Sequence, residues 1–190
     1  MYGIFGVATT LVGFLMLSLS IRASPWFDWT RHALSDLGAG GFGSVLFNSG
    51  LMITGGLMML FSLGLVELTT DSGVGRLGAY IHLTASWLLV GIGIANINVK
   101  PWHWYFSVGF FISISLSLLV FTVYFMKNGL TPHALISGLA SLTSACVWAL
   151  DWPSLAMPEC IAVGASGIWQ ILIGLWMMLW VFRGRPVSCP

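Results

Sequence analysis

Six long apolar runs, near residues 2–20, 44–68, 77–96, 103–126, 132–150 and 161–182, constrain this chain more than any other feature. About 20 apolar residues rising 1.5 Å each cover a hydrocarbon core of about 30 Å, so each run is expected to be a membrane-spanning helix. A water-facing surface cannot be built from what remains: only 7% of the residues are charged, 57% are hydrophobic, and the mean hydropathy is +0.93. The connections are too short to form a second domain. The expectation is therefore one all-α integral membrane domain over residues 1–190, a bundle of six transmembrane helices. No basic residue precedes the first run and no small-residue cleavage site follows it, so it reads as a retained helix rather than a removable signal.

A net charge of +1 without any Lys/Arg cluster gives no electrostatic footprint for nucleic acid. Membrane lipids are the expected partners, and self-association into a homo-oligomer is compatible with the composition. Cys146, Cys160 and Cys189 contain no CxxC pair, which removes the usual chemistry of a membrane redox relay. They read as free thiols, although Cys146 and Cys160 flank one loop and spacing leaves a bridge between them open.

Six spans put both termini on one side, with Arg76, Lys127, Arg183 and Arg185. Arg22, Arg31 and Lys100 fall on the other, so counting Lys/Arg favours cytoplasmic termini by four to three. The face opposite the termini, called distal below, collects Trp26, Trp29, Trp102, Trp104, Trp148 and Trp152, an aromatic belt suited to the headgroup region. It also holds Asp28, Asp36, Asp151 and Glu159, four of the six carboxylates, with His32 and His103. Polar chemistry is expected there.

Its densest part is WFDWTRHALSDLGAGGFG, residues 26–43. On a helix over 26–37, Asp28, Arg31, His32, Ser35 and Asp36 share one sector, and Trp26, Trp29, Ala33, Leu34 and Leu37 the other. Pro25 fits a helix start, Asp28 suits the positive end of the dipole, and Gly38 fits the position after the last turn. A short amphipathic helix lying in the membrane interface between spans 1 and 2 is predicted. The plain reading of its polar stripe is a wet helical face. The chemical reading is that His32 and Asp36, spaced i, i+4, act as base and orienter or as two metal ligands. The residues alone leave both open.

HALSDLG at 32–38, FNSG at 47–50 entering the second span and PWH at 101–103 entering the fourth together resemble a widespread domain-of-unknown-function family of six-span membrane proteins, distantly similar to the Frag, DRAM and Sfk group. PE at 158–159 adds a weaker likeness. The resemblance implies a link to lipid handling and membrane organisation. It carries no reaction, and it singles out His32, Ser35, Asp36, Gly38, Asn48 and His103.

Elsewhere, no Lys, Arg, Asp or Glu lies mid-span, with Glu67 near the end of the second, which argues against an ion-coupled pump. The apolar span centres argue against a passive transporter as well. His82 and His133 enter their spans from the terminus side; they suit capping or packing, with axial haem ligation the alternative. Asn48, at the start of the second span, suits either a bridge from loop to bundle or a helix-terminal hydrogen bond. Gly50, Gly55 and Gly56 in the second span, and Ser137, Gly138, Ser141 and Ala145 in the fifth, read as packing ridges. Ser113, Ser115 and Ser117 alternate and cannot share one helical face.

These features support a lipid-associated polytopic membrane protein that binds a lipid headgroup or amphiphile at the distal polar cluster. Arg22, Arg31, Asn48, Lys100 and His103 are the candidate binding residues, the cations meeting an anionic headgroup. The alternative is an intramembrane lipid hydrolase or transferase at the same face, with His32, Ser35 and Asp36 catalytic. His32, His103, Asp36 and Glu159 would then ligate a divalent metal such as zinc. That alternative resembles in outline the metal-dependent membrane hydrolases, but their close histidine pair on a late span is missing: the late spans offer only His133, on the terminus side.

Overall fold

A computed structural model describes residues 2–182, with side chains through residue 179; Arg183, Arg185 and Cys189 lie outside the described residues. Six α-helices follow in order: α1 Gly3–Arg22, α2 Gly41–Leu68, α3 Gly73–Ile94, α4 Trp102–Lys127, α5 Thr131–Cys146 and α6 Ala156–Phe182. Two 3-10 helices, Leu34–Ala39 and Val147–Ala149, sit in the first and fifth connections, and no strand occurs among the described residues. All the helices except α5 are long and apolar enough to cross a membrane, and the chain is a multi-pass membrane protein. The fifth apolar run is shorter in helix than expected: α5 has 16 residues and is continued only by the 3-10 turn.

Local chemistry sets the helix ends. Gly41 opens α2 at φ 76°, a left-handed conformation that costs glycine little. Ser72 caps α3 by accepting the Gly75 N–H at 3.2 Å. Lys127 closes α4 with a cation at the negative end of the dipole, and Pro132 occupies the first turn of α5, where no intrahelical donor is needed.

Each helix packs on its neighbours in the chain, and α1 closes the ring against α6. That closure is backbone on backbone. A Cβ on Gly3 would collide with the Gly174 carbonyl oxygen, a Cβ on Gly174 with that of Gly3, and a Cβ on Gly6 would sit 2.6 Å from the Gln170 carbonyl oxygen. Thr10 donates its hydroxyl to the Gly167 carbonyl at 3.0 Å across the same seam. Lipid tails supply no hydrophobic drive for helices to associate, so small residues that admit close approach, together with interhelical hydrogen bonds, hold such an interface.

Of the expected ridges, Gly50 faces Met16 and Gly55 faces Val90, whereas Gly56 meets nothing within 4 Å. In α5, Ser137 accepts the Trp169 indole N–H at 2.8 Å and Ser141 donates to the Ser115 carbonyl at 2.9 Å, while Ala145 is exposed. Ser115 and Ser117 turn apart: Ser117 bonds the Gly78 carbonyl of α3, and the Ser115 carbonyl meets α5. The aromatic core of Phe61, Phe121, Tyr124, Phe125 and Trp169 lies in the half of the bundle nearer the termini. Outward, Leu11, Ile112, Leu139 and Ile168 are exposed, an apolar perimeter suited to lipid.

The first, third and fifth connections gather at the distal end. Asn98 donates from the third connection to the Ala39 carbonyl at 2.8 Å, and the Ala156 N–H at the start of α6 bonds the His32 carbonyl at 3.2 Å. The second connection and the α4 end meet at the other, where a Cβ on Gly75 would touch both Thr69 and Tyr124. Trp26, Trp29, Trp102, Trp104 and Trp148 are exposed around the distal end.

Candidate ligand cavity beneath the first connection

The polar stretch does not form the predicted amphipathic helix. Residues 26–33 are turns and extended backbone, and only Leu34–Ala39 is helical, as a 3-10 segment with Leu34, Leu37 and Gly38 buried. The reason is competition from side chains for backbone groups. Asp28 Oδ1 accepts both the Thr30 N–H, at 2.8 Å, and the Thr30 hydroxyl, at 2.7 Å. Those bonds hold the exposed Asp28 carboxyl below the usual carboxylate range, with a smaller contribution from Arg31, 3.5 Å away. His32 Nδ1 accepts the Asp28 N–H at 3.0 Å while its ring stacks on Phe27.

The stretch is also fastened to α6 and to the connection just before it. Besides the His32 carbonyl, the Leu34 N–H donates to Glu159 Oε2 at 2.6 Å, and the Ser154 hydroxyl reaches the Trp29 carbonyl at 2.5 Å. Asp36 Oδ2 accepts the Ala33 N–H at 2.8 Å, so two carboxylates satisfy the orphan donors that open the 3-10 helix. The polar residues of the stretch thus serve to lay it across the distal end of the bundle.

Beneath it lies a cavity of about 140 Å³, walled by α1, α2, α3, α4 and α6 and roofed by Leu34 and Ser35. Leu17, Phe47, Leu51, Met58, Leu89, Ile92, Phe110, Phe111 and Val163 make the wall mostly apolar. Glu159 marks its outer end and Gln170 its depth, eleven positions later on α6 and hence roughly 16 Å further in. Gln170 is 4% exposed, yet its Oε1 has no hydrogen-bond partner, and the Oγ1 of Thr54 on α2 is likewise buried and unpaired. Thr10 also lines the space, but its hydroxyl is committed to backbone carbonyls.

Of the candidate catalytic, binding and metal-ligating residues, Ser35 and Glu159 line this cavity and the others do not. Arg22, Arg31 and Lys100 are exposed at the distal surface. Asn48 is a fastener: its Nδ2 donates to the Gly38 carbonyl at 3.2 Å, leaving Oδ1 unpaired. His103 is another, with Nδ1 2.8 Å from the Ala95 carbonyl at the end of α3. The proposed metal set of His32, His103, Asp36 and Glu159 is not assembled: no group of three or more His, Cys, Asp or Glu fit for a metal exists among the described residues. Nor do the catalytic candidates pair. His32 bonds Asp28 and Asp36 bonds Ala33, so neither Asp36 nor Ser35 is hydrogen-bonded to the imidazole.

His82 is fully buried, bonded to Ser62 at 2.7 Å and packed against Phe61 and Trp169; His133 packs on Trp176 and Phe125. Aromatic rings pack on both histidines, as a packing role requires, while Nε2 of His82 and Nδ1 of His133 are buried without a hydrogen-bond partner. Cys146 and Cys160 are free thiols.

Sequence reasoning missed Thr54 and Gln170. The signal was present: Gln170 is the single glutamine in the chain and falls inside its last apolar run, where an amide is costly. A family described as protein of unknown function, DUF998, matches residues 4–182. No curated protein and no solved structure matches the chain.

Proposed function

This chain belongs to the DUF998 family of proteins of unknown function, and from that premise we propose that it is a lipid-associated membrane protein that holds the apolar part of an amphiphile in the cavity beneath residues 34–35. The carrying observation is the cavity itself, a largely apolar space of about 140 Å³ reaching from Glu159 to Gln170. A cavity of about 150 Å³ lined by aliphatic and aromatic side chains is known to stay dry and to take up benzene, so a ring or a short length of chain suits this one. The aromatic belt at the distal end supports a position at the headgroup level.

The same reading takes six crossings and places the termini in the cytoplasm. Its support is that α4 ends at the terminus end while α6 begins at the distal end, so α5 has to run the length of the bundle. Its 16 residues and the 3-10 turn of 3 add up to about 30 Å, the thickness of a hydrocarbon core. No Lys or Arg lines the cavity. Capture of an anionic headgroup by Arg22, Arg31 or Lys100 therefore belongs to the exposed rim, and the enclosed part of the ligand is uncharged.

The test is native mass spectrometry and organic extraction of the detergent-purified chain, with thermal stability followed across added amphiphiles. The reading expects a co-purifying amphiphile in near-stoichiometric amount and stabilisation on adding it back. A chain that retains none, and whose stability ignores amphiphiles of every headgroup, would overturn it.

A further inference from the structure

We infer that Ser107 is a nucleophile with His103 as its base, so that the cavity takes a neutral carboxylic ester whose acyl group passes to the Ser107 hydroxyl. This rests on the reading of the cavity as an amphiphile site, and it uses residues other than the His32, Ser35 and Asp36 considered from sequence.

The hydrogen bonding of the pair carries it. His103 Nδ1 lies 2.8 Å from the Ala95 carbonyl at the end of α3. A carbonyl only accepts, so Nδ1 carries the ring proton and Nε2 keeps its lone pair. The Ser107 hydroxyl, about one helical turn on, donates to that Nε2 at 3.4 Å. Nucleophile, base and a third group that orients the base form the arrangement that activates a hydroxyl, and its bonds are often long until substrate binds.

Serines elsewhere in the bundle are engaged differently. Ser18, Ser49, Ser115 and Ser137 each return the hydroxyl to the carbonyl four positions back. Ser62 does meet an imidazole, Nδ1 of His82 at 2.7 Å, but it gives its proton to the Met58 carbonyl, also at 2.7 Å. Both Ser62 and His82 are fully buried and neither lines the cavity. Ser107 meets a base and lines it.

Position and charge name the substrate. Ser107 lies roughly 8 Å into α4 from its first residue, just inside the exposed Trp102 and Trp104 of the same helix. Those rings suit the headgroup level, so the ester of a membrane amphiphile reaches Ser107 while its acyl part extends along the apolar lining towards Gln170. No Lys or Arg lines the cavity and Glu159 does, so a phosphate or free carboxylate would meet a carboxyl and no cation. An uncharged ester meets no such obstacle.

In the reaction, Ser107 Oγ bonds the carbonyl carbon as its proton moves to His103 Nε2. The bond from that carbon to the alcohol oxygen breaks, and the alcohol leaves with the proton. Water then attacks the acyl-serine, giving a proton to Nε2; the acid is released and the proton returns to Ser107 Oγ.

The experiment treats the full chain, purified in detergent, with an alkyl fluorophosphonate, which loses fluoride to an activated serine, and maps the label by peptide mass spectrometry. Hydrolysis of p-nitrophenyl butyrate supplies the turnover readout. Label on Ser107 and release of p-nitrophenol are expected. Ser107→Ala should abolish both without lowering the thermal stability, since that hydroxyl supports an imidazole and no backbone group. His103→Gln should slow labelling roughly a hundredfold or more; if it misfolds, Ser107→Ala and the labelled position carry the test. A folded chain unlabelled at Ser107, hydrolysis that survives Ser107→Ala, or labelling unchanged in His103→Gln would each overturn the inference. The retained-amphiphile measurement stays separate: an amphiphile held by a chain with an inert Ser107 overturns this inference alone, whereas a chain that holds none fails the broader reading.

Discussion

Leu34 and Glu159 are joined at 2.6 Å across 125 positions of sequence, the backbone N–H of one donating to the side-chain carboxyl of the other. That bond ties the 3-10 helix of the first connection to the first turn of α6, and both residues line the cavity. Glu159→Ala leaves the Leu34 N–H without its acceptor and should destabilise the chain by about 1–3 kcal/mol. Glu159→Gln keeps an acceptor oxygen and should cost less than half as much. Thermal unfolding in detergent, with limited proteolysis of residues 26–39 as the local readout, checks the order. Equal stability of the two variants would mean the carboxyl does not hold the connection.

The seam between α1 and α6 has no room for a side chain at Gly3 or Gly174. Gly3→Val should therefore cost about 3 kcal/mol, at the upper end for overpacking, because its obstacle is a backbone carbonyl that cannot rotate away. Gly56→Ala provides the contrast: nothing lies within 4 Å, and replacing a mid-helix glycine should stabilise by about 0.5 kcal/mol. Unfolding midpoints of the two variants, measured side by side, test this, and a harmless Gly3→Val would refute the close approach.

Asp151 and Lys127 are both exposed and flank the stretch containing α5. With the native cysteines replaced by serine, Asp151→Cys in intact cells should react with a membrane-impermeant maleimide, while Lys127→Cys should react only after permeabilisation. Labelling of both from one side would leave five crossings. Labelling of Lys127→Cys alone would keep six and invert the chain.

The Asp28 carboxyl is held below the ordinary value of 3.8 by the Thr30 hydroxyl first, and then by the Thr30 N–H. A depressed carboxylate stabilises the folded state above its unfolded value and loses that contribution as pH falls through the folded one. The Thr30 amide resonance should thus titrate with a midpoint below 3.8, and Thr30→Ala should move the Asp28 midpoint back up. A midpoint at or above the ordinary value would show that the turn is open in solution.

Hydrophobic length and tryptophan placement made the bundle and its distal polar end legible, since both follow from what lipid tolerates along one helix. Ser35 and Glu159 were singled out as a catalytic and a metal-binding candidate, and the fold brings both to the lining of the cavity. The helical wheel over 26–37 failed because periodicity registers only local partners. Here the His32 carbonyl and the Leu34 N–H bond residues of α6 more than 120 positions away, and Asp28 turns the chain through Thr30. The cavity was hidden for a related reason: it is a gap among five helices, and no single helix carries its outline. Even so, Gln170 announced a mid-span amide with a partner to find.

The ring that α1 and α6 close has a consequence for how the protein is made. Because α1 is synthesised before α6, its Gly3, Gly6 and Thr10 are without their counterparts until Gly174, Gln170 and Gly167 of α6 arrive. Gln170 and Glu159, at the two ends of the cavity, come with that same helix. Biosynthesis therefore completes the cavity and the bundle in a single closing event, and a chain stopped short of α6 carries neither.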